Sequence, residues 1–184
     1  MNITTQNYLR TGLLILFLCA LSSCSKTNSV YRVNTLDVNE GVVWHYFKGT
    51  VDPPRLWNSR EFDDSSWLVS ASGVGYGIGN HKTILSDMKG KYSAVYARQE
   101  FSVDNYSQIT QMVLSLVCDG PFIAYLNNIE ASRSKRRQKG DPLNLIGFAH
   151  ELDPGKNVIS VKCSNDNIDS DDYSFIPSFE FDEE

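Results

Sequence analysis

The chain has 184 residues, a formal net charge of −5 and an aromatic content of 11%. A chain of this length buries roughly 70% of the surface its unfolded form exposes, so it needs no metal or disulfide to hold a core, and one domain is the default. The acidic balance argues against a nucleic-acid partner, which reads phosphate through a basic face.

The first element is MNITTQNYLRTGLLILFLCALSSCSK. Arg10 is its one charge before Lys26, and every residue from Leu13 to Leu21 is apolar. Nine apolar residues fall short of the roughly 20 a membrane-spanning helix needs. A basic start, a short apolar run and small residues after it read as a signal peptide. Leu21-Ser22-Ser23-Cys24 resembles the lipobox of bacterial lipoproteins, which implies cleavage before Cys24 and its acylation. Several acyl chains on one residue anchor stably where a single chain does not. In that family a Ser after the acylated Cys usually directs the protein to the outer membrane, and Ser25 fits. The expected organisation is a signal peptide over 1–23, a lipidated tether over 24–32 and a folded domain over 33–184.

Strand signals then dominate. VVWHYFKG (42–49), SAVYARQEFSV (93–103), ITQMVLSLV (109–117), PFIAYLNN (121–128) and NVISVKCS (157–164) are rich in β-branched and aromatic residues. Met112, Leu114, Leu116 and Cys118 alternate onto one face, as do Ile159, Val161 and Cys163. The last run, YSFIPSFEF, contains Pro177, which predicts an edge position or a bulge. Gly, Pro and Asp turn clusters separate these runs, and no long window shows a 3.6-residue period. The pattern predicts an all-β sandwich.

VCDGPFIAYLNN (117–128) raises the question of a cysteine nucleophile. Such a residue needs a base oriented by a third group. The histidines His45, His81 and His150 stand in no recognised local motif. Asp119-Gly120 and Asn127-Asn128 instead supply the left-handed backbone that tight turns use. The stretch therefore reads as strand, corner, strand, corner.

LSLVCDGPFIAYLNNIEASR resembles the hairpin of galactose-binding-like β-jelly-roll domains. WNSREFDDSSWLVSASGVGYGIG, VYARQEF and ELDPGKNVISVKCSNDNIDSDDYSFIPSFEF resemble the flanking motifs of that family, and the likeness covers about residues 41 to 181. It implies a β-sandwich of jelly-roll type that is usually non-catalytic and binds glycans, proteins or structural calcium. Cys118 stands where the family commonly has the first Asp of its Asp-Asp-Gly corner, and Cys163 where it often has His. An even pair of cysteines beyond Cys24 suits a disulfide in an oxidising compartment. Two buried free thiols are the alternative.

SRSKRRQKGD carries Arg133, Lys135, Arg136, Arg137 and Lys139, a local field opposite in sign to the chain. It reads first as a solvated loop, and otherwise as a surface for anionic groups. GVGYGIGN lacks the Lys-Ser/Thr ending of a phosphate loop. FDDSSW and DNIDSDD offer few of the six to eight oxygens calcium takes, so no cofactor is expected and structural calcium is the one alternative. Among Trp44, Tyr46, Trp57 and Tyr76, the turn-proximal Trp57 and Tyr76 are the candidate sugar platform, flanked by Arg55 and His81. The expected function is a non-catalytic, lipid-anchored envelope protein of the outer membrane that binds a glycan or a protein partner. The alternative is a structural subunit of an envelope complex.

Overall fold

The computed structural model describes residues 43–184. The expected signal peptide, Cys24, the tether and residues 33–42 of the expected domain lie outside the described residues. Among the described residues eleven strands form two sheets: β1 (Val43–Lys48), β2 (Leu68–Ala71), β3 (Val74–Tyr76), β4 (Thr83–Ile84), β5 (Ala94–Val103), β6 (Ile109–Cys118), β7 (Phe122–Leu126), β8 (Ile129–Ser134), β9 (Gln138–Asn144), β10 (Gly155–Ser164) and β11 (Tyr173–Glu183). One sheet has six strands in the order β2-β1-β5-β10-β7-β8, and the other five in the order β4-β3-β11-β6-β9. All pairings are antiparallel except β3 with β4. The fold is an all-β sandwich.

Period-two alternation places the core. Met112, Leu114, Leu116 and Cys118 of β6 face Val95, Ala97, Ile159, Val161 and Cys163 of the other sheet, and all are buried. Trp44 and Tyr46 also point into this core, and the Tyr46 ring meets Phe175 of β11 edge to face at 6.1 Å. Neither is available to a sugar.

The registers define two poles. Cys118 pairs with Phe175 and Gln138, while Cys163 pairs with Val95 and Phe122. Cys118 and Cys163 are joined by a disulfide across the sheets, with their Cα atoms 6.0 Å apart. Cys118 is therefore a staple, not a nucleophile. At this disulfide pole gather Lys48, Tyr76, Asp119-Gly120, Lys135–Arg137 and the 165–172 loop. Val43, Val103, Asn127-Asn128, Gly155 and Glu183 mark the opposite pole.

The two corners differ in mechanism. Asn127 and Asn128 adopt φ of 48° and 75°, the left-handed turn expected of them. Gly120 does not adopt positive φ; a side chain there would come within 2.6 Å of the Ser164 carbonyl. Its glycine is required by close approach, not by left-handed backbone. Pro177 also departs from expectation. It lies in β11, an interior strand, opposite Leu116. The β3 ladder stops at Phe175, so beyond it Pro177 needs no amide hydrogen on that side, and the Ser72 hydroxyl donates to its carbonyl.

Candidate functional site

The outer face of the six-stranded sheet carries the odd-numbered residues of β1 and β7 and the even-numbered ones of β5 and β10. Register lines up Phe47, Tyr96, Lys162, Ile123 and Arg133 in one row across five strands. The next row is His45, Arg98, Ser160, Tyr125 and Glu130. The connection from Gly49 to Trp67 folds over half of this face and makes a second, smaller apolar layer. Trp57 contacts Tyr96 at 5.1 Å and Tyr125 at 5.8 Å, both nearly perpendicular, and stacks on Trp67 at 6.2 Å. Trp67 in turn packs on Phe47 and Phe62.

An ion pair holds the connection down. Arg98 is fully buried, and its Nε donates to Asp64 Oδ2 at 2.6 Å. The same guanidinium donates to the carbonyls of Trp57, Ser59 and Phe62 and lies over the Phe62 ring. Asp64 also meets His45 Nδ1 at 2.8 Å. A buried charge so surrounded is satisfied, and it fixes the position of Trp57. Asp64 belongs to FDDSSW and Arg98 to VYARQEF, so two separate sequence motifs meet as one contact.

Trp57 itself is half-buried. Tyr125, Ile123 and Lys162 beside it are also half-buried, and Arg133 is exposed. The Lys162 ammonium sits over the Tyr96 ring at 5.4 Å. Burial raises the Tyr125 hydroxyl above its ordinary value, helped by the Glu130 charge, so it remains a donor at neutral pH. The result is an aromatic strip with the Lys162 ammonium at one side and the Arg133–Glu130 pair at its rim. The sequence singles out Trp57 here but not Tyr125 and Lys162; the alternation of β7 and β10 turns both outward, and only register makes them its neighbours.

Tyr76 does not join Trp57. It lies in the other sheet, 8% exposed, stacked on Tyr173 with its hydroxyl donated to the Ser170 carbonyl. It is a core residue, and the paired platform of Trp57 and Tyr76 is corrected to Trp57 alone. His81 fills a glycine cradle: a Cβ at Gly75 or Gly79 would come within 2.6 Å of its ring. Its Nε2 pairs with the Ser174 hydroxyl at 2.9 Å, and its Nδ1 is buried with no hydrogen-bond partner. Arg55 is exposed on the same connection as Trp57.

The basic segment is only partly a loop. Arg133 lies on β8, where it pairs with Glu130, and Lys139 lies on β9. Arg137 stands 3.3 Å from Asp119, whose other oxygen accepts the Ser174 amide. Gln138 Nε2 donates to the Arg136 and Arg137 carbonyls and to Ser134 Oγ, which shapes the turn. Among the described residues no group of three His, Cys, Asp or Glu side chains is arranged to hold a metal. Asp64 of FDDSSW is committed to Arg98 and His45.

No family model matches the chain, and no curated protein does. Solved structures share its fold. An uncultured Clostridium sp. β-glucuronidase superposes with a TM-score of 0.52 at 15% identity, over 85% of this chain and 30% of that one. A calcium-binding mutant of Bacteroides uniformis β-glucuronidase 2 gives 0.50 at 14% identity, over 80% and 18%. The chain thus spans less than a third of either enzyme, and the likeness is one of fold.

Proposed function

We propose that the chain is a non-catalytic, lipid-anchored protein of the bacterial outer membrane whose galactose-binding-like jelly-roll domain binds a glycan. The half-buried Trp57 carries this reading. An indole held rigidly by Trp67, Tyr96 and Tyr125, yet partly open to solvent, offers a flat apolar surface to the C–H face of a sugar ring. Arg55 stands on the same connection as a polar neighbour. The link between FDDSSW and VYARQEF through Asp64 and Arg98 supports the jelly-roll resemblance. That the structures sharing this fold are named as β-glucuronidases is in keeping with a carbohydrate setting. The anchor rests on the run from Leu13 to Cys24. His81 and the basic residues Arg133, Lys135, Arg136, Arg137 and Lys139 remain outside this primary site.

The test is a glycan array probed with the full chain in detergent, with and without calcium, and repeated with Trp57→Ala. Binding that disappears in the variant is the expected outcome. A second reading, assembly into an envelope complex, has its own observation: Val43, Leu68, Val69 and Ile84 are exposed at one side of the sandwich. Absence of all glycan binding, with capture of an envelope protein lost on Val69→Lys, would favour it.

A further inference from the structure

We infer that the glycan taken by this face is acidic, with Lys162 as the counter-ion of a sugar carboxylate. The inference rests on the proposed binding module and names its ligand class.

Lys162 lies on β10. It occupies the middle of the outer face, flanked in register by Tyr96 on one side and Ile123 on the other. It is half-buried, and among the described residues no carboxylate lies within ion-pair distance of it. The other half-buried cations of the fold do have one: Lys48 pairs with Asp87 at 2.9 Å, and Arg60 with Asp153. The protein is acidic overall, so a sheet-face cation with an aromatic ring but no carboxylate beside it is not forced by composition.

Its surroundings match the chemistry. Trp57 and Lys162 lie against the same Tyr96 ring, at 5.1 and 5.4 Å. One side of a pyranose seated on the indole would therefore lie near the ammonium. Tyr125, 5.8 Å from Trp57, brings a hydroxyl to the same strip. Arg133 follows Lys162 and Ile123 in the row, but Glu130 takes up its charge, which leaves Lys162 as the cation for a ligand. An apolar platform binds any sugar face, because burial of C–H surface is not selective. A fixed ammonium beside it is selective, since a charge-assisted bond to a carboxylate exceeds one to a neutral hydroxyl. Tyr96, Lys162 and Tyr125 stand on paired strands, and Trp57 is held against them by the Arg98–Asp64 contact that fastens its connection, which keeps the groups at fixed spacing.

A lysine that only shields Tyr96 would be indifferent to ligand charge, and this is what the experiment separates. The full chain in detergent is titrated by calorimetry with uronic-acid oligosaccharides and with the same oligosaccharides after carboxyl reduction. Reduction is expected to weaken binding by about tenfold or more, the loss of one hydrogen bond to a charged group. The preference should shrink in about 0.5 M salt, where exposed charges are screened. Lys162→Met should abolish the preference and Lys162→Arg retain it. Equal affinity for acidic and reduced ligands, or a preference that survives Lys162→Met, overturns the inference while the glycan-binding reading stands. If neither ligand set nor any array glycan binds, both fall. The wild-type comparison needs no variant, so a failure of Lys162→Met to fold leaves the test intact.

Discussion

His81 holds a ring nitrogen without a hydrogen-bond partner in a cradle of glycines. Burial lowers its pKa below the ordinary 6.5, and the charges of Asp119 and Asp172 offset this only in part. The unfolded chain then takes up a proton at higher pH than the native one. Stability should therefore be level above about pH 6.5 and fall as the pH drops below it toward the folded value. Asp87 is shifted down by its bond to Lys48, and Glu130 by its bond to Arg133. Such carboxylates lose their contribution only near about pH 4 and below, so the two effects separate. Urea midpoints measured between pH 5 and 7.5 should slope for the natural chain and be flat for His81→Gln.

At the level of the element, the connection from Gly49 to Trp67 is an ordered cover held by one buried guanidinium. Removing one partner of a buried pair strands the other, at a cost of about 3–5 kcal/mol. Arg98→Met should lower stability by that amount in chemical denaturation and shift the fluorescence of Trp57 to the red, because the indole loses its support. Sequence reasoning reached the strands whose side chains alternate, such as β6 and β10, since a sheet buried on one face writes its period into the chain. It did not reach β9, QKGDPLN, whose Gly140 and Pro142 oppose a strand; the open edge of β6 imposes that pairing. β2 and β4 are too short to carry a period. The site divides in the same way. Trp57 was legible as an aromatic near turns. Tyr125 and Lys162 become its neighbours only through the registers of β5, β10 and β7, and register is not written locally.

For the whole molecule, the bond between Cys118 and Cys163 joins the two sheets at one pole over a sequence separation of 45 residues. By chain entropy such a loop stabilises by about 4 kcal/mol. Cys118→Ser with Cys163→Ser should lower the unfolding free energy by about that amount, and reductant should do the same to the natural chain and nothing to the variant. The pole it fastens carries the Lys135–Arg137 turn, because Gln138 pairs with Cys118. Both Val43 and Glu183 lie at the other pole. The chain thus enters its first described strand and leaves its last from one side, like two leads at the base of a lamp. Among the described residues the disulfide pole is built of internal connections, each fixed in a strand at both ends and one of them clasped by the disulfide.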